Sequence, residues 1–149
     1  MTTITRTIEI NATRDTIRKY YAHPVYTPQW ANRLYLWEPE EDWPAAGSTA
    51  KMGFKSGGLE VEGVATTLSY DLRTMQHHFR LEAKSFAPMD FRYRFDENDG
   101  KTAVTYKIDY TIPGNFLGQV LDKLFVERQN TRDTEQMLAN LKALAEGDA

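Results

Sequence analysis

"MDFRYRFDENDGKTAVTYKIDYTI", Met89–Ile112, alternates between apolar and polar residues. Met89, Phe91, Tyr93 and Phe95 take turns with Asp90, Arg92, Arg94 and Asp96. After a break, Val104, Tyr106, Ile108 and Tyr110 take turns with Thr105, Lys107 and Asp109. Successive side chains of a strand point to opposite faces, so one face meets a core and the other meets water. Parallel sheets covered on both faces read as unbroken apolar runs, so this sheet is antiparallel. Asp99-Gly100, in the break, suits the left-handed conformations of a tight hairpin.

The same period of two extends backwards to Tyr35. "STAKMGFK" turns at Ser56, Gly57 and Gly58 into "LEVEGVATTLSY", and residues 71–74 interrupt the pattern before "MQHHFRLEAK". At the N-terminus "TITRTIEI" alternates as well, with Ile4, Ile8 and Ile10 on one parity. A helix follows in "NATRDTIRKYYAHP": Thr13 is a cap, Asp15 lies in the positive first turn, and Ile17, Tyr20 and Tyr21 recur at helical spacing up to Pro24. Pro24 and Pro28 leave room only for a short second helix or turn around Trp30. Beyond the sheet, Pro113-Gly114 breaks the last strand and Asn115 can cap a helix from about Phe116 to about Glu146. At 1.5 Å per residue it would be roughly 45 Å long. It is the cover that the apolar face of the sheet requires.

Composition narrows the function. With 149 residues, 41% of them hydrophobic and 26% charged, the chain fits one globular domain, 1–149. A net charge of −3 with scattered basic residues argues against a nucleic-acid partner. The absence of cysteine removes thiolate catalysis and disulfide scaffolds and fits a reducing compartment. No signal peptide or membrane span is expected, which points to the cytoplasm. No HExxH-type spacing or G-x-S-x-G occurs, so neither a metal, a cofactor nor a serine nucleophile is expected. His77 and His78 are adjacent in a strand, so His77 should face inward and His78 outward. His77 reads chiefly as a satisfied core histidine, with general acid–base work as the alternative.

The long helix raises a question of its own. Placed on a wheel centred on Leu124, one face carries Leu117, Val120, Leu121 and Leu124, then Glu127, Arg128, Thr131 and Glu135, then Leu138, Leu141 and Ala145. A buried, unpaired Arg or Glu costs several kcal/mol, so the polar middle needs partners, water or an opening. One solution is a cavity that Arg128 and Thr131 overlook, opposite His77, Tyr93 and Tyr106, with Glu127 or Glu135 neutralising Arg128. The other is pairing with charges on the rim of the sheet.

Strand, two short helices, long antiparallel sheet, C-terminal helix: this order resembles the helix-grip fold of the START-like (SRPBCC) superfamily, and more narrowly its polyketide cyclase/dehydrase-like proteins. "IEINATRDTIRKYYAHPVYTPQW", "FRYRFDENDGKTAVTYKIDYTI" and "PGNFLGQVLDKLFVERQNTRDTEQMLANLKALAEG" carry the resemblance. It implies an α+β fold with a curved antiparallel sheet of about seven strands wrapped around the long helix, and a cavity for a hydrophobic ligand such as a lipid, quinone or polyketide. No catalytic signature is shared across that group, so no catalytic residue is assigned.

The expected ligand-binding residues are Trp30, Phe54, His77, Phe79, Phe91, Tyr93, Tyr106, Tyr110, Leu121, Leu124, Arg128 and Thr131. Binding or carriage of a hydrophobic small molecule is the leading expectation, by a monomer or homodimer. The alternatives are an aromatase/cyclase-type enzyme, with Arg128, His77 or a tyrosine polarising a carbonyl during aldol closure, and an interaction or cochaperone module.

Overall fold

The computed structural model of the chain describes residues 1–56, 59–113 and 123–148. Strand β1 (Thr2–Ile10) leads into helix α1 (Arg14–Tyr21), a single 3-10 turn (Pro24–Tyr26) and the short helix α2 (Thr27–Trp30). Thr13 caps α1, its hydroxyl accepting from the Thr16 amide at 3.3 Å. Six strands follow: β2 (Leu34–Pro39), β3 (Thr49–Ser56), β4 (Leu59–Tyr70), β5 (His77–Ala83), β6 (Met89–Asn98) and β7 (Lys101–Tyr110). Helix α3 (Lys123–Gly147) ends the chain. The expected start of that helix near Phe116, and the expected turn at Gly57-Gly58, lie outside the described residues.

All neighbouring strands are antiparallel, in the order β1-β7-β6-β5-β4-β3-β2. Sequential hairpins build six of the seven strands, and β1 closes the far edge on β7. At the β6–β7 hairpin Asp99 and Gly100 both take positive φ, 52° and 77°, as a two-residue turn twisted with its strands demands. Register shifts between Thr67 and Ser69 of β4, and between Leu34 and Leu36 of β2, are the bulges that add bend to a sheet.

Inward residues of β6 and β7 (Met89, Phe91, Tyr93 and Phe95; Val104, Tyr106, Ile108 and Tyr110) are all buried, as the alternation requires. Their outward neighbours form a charged surface. Asp90 receives hydrogen bonds from His78 (2.8 Å) and Arg80 (3.1 Å), and Asp109 pairs with Arg92 at 3.2 Å.

Helix α3 lies across the concave side, against α1, α2, β1 and β3. Its phase differs from the expected wheel. The buried row runs through Val126, Asn130, Thr134, Met137, Leu138, Leu141 and Ala145, while Leu124 is 54% exposed and Arg128 and Glu135 face solvent. Residues two apart on a helix point about 200° apart. Burying Val126 therefore turns Leu124 outward. Leu138, Leu141 and Ala145 belong to both stripes, which is why the wheel centred on Leu124 is self-consistent over the last turns. The polar residues expected over a cavity settle on the rim instead: Glu135 reaches Arg6 of β1 at 4.0 Å, and Glu127 accepts from Thr2 at 3.2 Å.

Candidate functional site: an aromatic cavity under the sheet

Cross-strand registry assembles the floor of the site. Phe79 of β5 sits opposite Phe91 of β6, and Tyr93 of β6 opposite Tyr106 of β7. Directly paired side chains on one face touch. Phe79 and Phe91 stack at 4.7 Å with planes 5° apart, and Tyr93 and Tyr106 stack at 5.0 Å and 23°. His77, opposite Tyr93, continues the row, and Phe54 of β3 meets Phe91 edge-on at 6.5 Å.

Tyr93 reaches the helices, its ring 4.8 Å from that of Tyr21 and its hydroxyl donating to Met137 Sδ at 3.5 Å, and beside it a gap remains between sheet and helices. The gap is bordered by Tyr21 of α1, Thr27 and Trp30 of α2, the Ala31–Leu34 connection and Met137 of α3, with Trp37, Trp43 and Met52 at the side. The cavity offers about 70 Å³ to the centre of a water-sized sphere. A single water needs about 10–15 Å³ by that measure.

Two polar constellations touch this space. His77 is 3% exposed; its Nδ1 lies 2.6 Å from the Tyr21 hydroxyl and its Nε2 2.9 Å from the Thr67 hydroxyl. Both ring nitrogens are engaged in either tautomer. Burial, reinforced by the neighbouring His78, pushes its pKa down to about 3. At neutral pH it is an uncharged imidazole wedged edge-on against Trp43 and alongside Phe79.

The second constellation is centred on Arg33, whose side chain is only 13% exposed. Its Nη1 donates to Asn130 Oδ1 at 3.1 Å and lies 4.0 Å from Asp133 Oδ2, both on α3. The guanidinium also rests over the Phe54 ring, 5.6 Å from its centre. Burial pushes the Tyr106 hydroxyl up to about 12, with the Arg33 charge opposing the rise; Tyr21 and Tyr93 are raised by burial as well. The tyrosines are therefore neutral at ordinary pH. Among the described residues Arg33 is the only charged side chain in the cavity wall.

Of the residues expected to bind ligand, Trp30, Phe54, His77, Phe79, Phe91, Tyr93 and Tyr106 converge on this cavity. Tyr110 is buried but lies outside its wall. Arg128 and Leu124 are exposed and Thr131 is half-buried at the helix flank, so none of the three lines it; Leu121 lies outside the described residues. The inward polar role is filled by Asn130 and Asp133, and the cation they meet is Arg33. In the sequence Arg33 is one of 18 basic residues, and no spacing sets it apart. Tyr21 had a visible signal, since it falls on the apolar stripe of α1. Trp37 and Trp43 also line the cavity, and no spacing in the sequence marks them as wall.

Among the described residues no group of three or more His, Asp or Glu could hold a metal, and no helix is long and apolar enough to cross a membrane.

A family model described as polyketide cyclase/dehydrase and lipid transport matches residues 1–146. No curated protein matches the chain in sequence. Among solved structures, TTHA0849 from Thermus thermophilus is similar with a TM-score of 0.78 and 15% identity, covering 99% of both chains. The Zhui aromatase/cyclase from Streptomyces sp. R1128 is similar with a TM-score of 0.74 and 15% identity, covering 97% of this chain and 93% of that one. A START superfamily protein from Mycobacterium smegmatis is similar with a TM-score of 0.61 and 15% identity, over 98% and 95% of the two chains. At such identities the likeness is one of fold.

Proposed function

The chain belongs to the polyketide cyclase/dehydrase and lipid transport family, and from that footing we propose that it binds and carries a small hydrophobic molecule of lipid, quinone or polyketide class in the aromatic cavity. The observation that carries this reading is the wall itself. It is built from aromatic rings, methionines and few polar groups, the make-up of a pocket that holds apolar molecules by burial and orients them at one point. The one basic side chain there whose free pKa lies in reach of acid–base work is His77, and in the fold that ring is held by Tyr21 and Thr67 and kept neutral. A general base must present a nitrogen to its substrate. Here both nitrogens are turned into the protein.

The second reading is an aromatase/cyclase-type enzyme, the activity named for the Zhui protein. What favours it is Arg33, a cation that can polarise a ligand carbonyl from the cavity wall. The two readings separate on whether the ligand is changed.

Native mass spectrometry of the protein purified from its own host should find a bound organic molecule, released unaltered on unfolding. An apolar fluorescent probe should also bind the emptied protein, and Ala31→Trp, which places an indole in the cavity, should abolish that binding. Probe binding that survives Ala31→Trp overturns the cavity as the site. A ligand recovered cyclised or dehydrated relative to the compound supplied moves the assignment to the enzyme.

A further inference from the structure

The cavity is narrower in its demands than its family membership requires. Its floor is a row of ring edges. Phe79 and Phe91, and Tyr93 and Tyr106, pack face to face across their strands at 4.7 and 5.0 Å, which turns their edges to the cavity. Such a row favours the face of a planar π-system laid across it, edge to face, over a coiled acyl chain. Its size is suited as well. Treated as a sphere and enlarged by the ~1.4 Å radius of water, the free space comes to at least about 260 Å³, room for one or two fused rings with a substituent.

Charge sets the polar end. Arg33 borders the cavity, whereas its counter-charge Asp133 stands on α3 and is absent from the wall. Seen from inside, the protein therefore presents a cation. Its planar guanidinium carries five N–H donors, a number that Asn130, Asp133 and the Tyr106 hydroxyl together do not exhaust, in a fork geometry that matches a carboxylate. The low exposure of Arg33 lets such a contact escape most of the screening that weakens surface pairs.

We propose that the ligand is a flat aromatic acid of one or two fused rings, its rings against Phe79, Phe91 and Tyr106 and its carboxylate on Arg33. This rests on the carrier reading and specifies the class of molecule carried. Arg33 is then the residue that sets specificity, while the rings supply most of the affinity.

Four compounds test it against the native chain by isothermal titration: 2-naphthoate, the neutral 2-naphthylmethanol, the cationic 2-naphthylmethylammonium, and octanoate, which has the carboxylate without the rings. The expected order is naphthoate tightest, at least about tenfold better than the alcohol, as a charge-assisted hydrogen bond in a water-poor site predicts. The ammonium compound and octanoate should be weaker still. Arg33→Met should bring naphthoate down to the level of the alcohol. Arg33→Lys should keep part of the preference, and Asp133→Asn, which removes the counter-charge, should strengthen it.

Equal binding of naphthoate and the alcohol by the native chain overturns the acid-binding role of Arg33 and leaves the carrier reading intact. Octanoate binding as well as naphthoate overturns the aromatic part. Binding of none of the four overturns the carrier reading and this inference together. Should Arg33→Met fail to fold, the native order of affinities and the Lys and Asn variants still decide.

Discussion

Lowering the pH should destabilise this protein through one residue, His77, before its carboxylates contribute. In the folded chain the imidazole is buried with a pKa of about 3, against 6.5 for a free histidine. Above pH 6.5 the ring is neutral in both folded and unfolded chains, and His77 contributes no pH dependence. Below that value the unfolded chain takes up a proton that the folded chain refuses until about pH 3, so stability falls by about 1.4 kcal/mol per pH unit across that window. At about pH 4.5 the accumulated loss is about 2 to 3 kcal/mol, a large part of the stability of an ordinary domain.

The assay is urea unfolding at pH 7.0, 5.5 and 4.5 for the native chain and for His77→Gln. The amide can still hydrogen-bond to Tyr21 and Thr67 but has no proton to gain. The variant should start lower at pH 7, because the ring contacts with Trp43 and Phe79 are lost. It should then lose about 2 to 3 kcal/mol less than the native chain on acidification to pH 4.5. His78 and the low-pKa carboxylates Glu40, Asp71, Asp90, Glu146 and Asp148 are present in both proteins and cancel in the comparison. Parallel pH profiles would refute the reasoning, since they would mean that His77 titrates in the folded chain as it does in the unfolded one.

Two further outcomes follow from packing. Gly63 of β4 passes so close to β5 that a Cβ there would collide with the backbone carbonyl of Glu82; Gly63→Ala should cost about 2 kcal/mol or more, read as a lowered urea midpoint. Thr134, 1% exposed on the inner face of α3, has a hydroxyl with no hydrogen-bond partner among the described residues. Thr134→Val, which keeps the shape and removes the stranded polar atom, should raise stability by about 1 kcal/mol, and a lowered melting temperature would show that the hydroxyl is satisfied.

The sheet was legible in the sequence because strand alternation is a local property. Whether Phe91 and Tyr93 face the core or water depends on the parity of their own strands, and β6 and β7 keep that parity without interruption. The caps and turns were legible for the same reason. Thr13 and Asp99-Gly100 act on residues within a few positions of themselves. Of the residues expected to bind ligand, those that line the cavity come mostly from this source: inward parity on the sheet places Phe54, His77, Phe79, Phe91, Tyr93 and Tyr106 on one face.

The phase of α3 and the identity of the buried cation were decided by the tertiary structure. A helix with polar residues in every turn supports more than one inward stripe, and the choice rests on what lies opposite. Val126, Asn130 and Met137 turn inward in place of Leu124 and Arg128 because α2 and the head of β2 bring Arg33 to meet Asn130, a contact between residues 97 positions apart. The pairing energy of that contact depends on distance and on the surrounding dielectric, and neither quantity is a property of Arg33 or of Asn130 alone. Only when the chain closes do the two residues, and the cavity beside them, exist together.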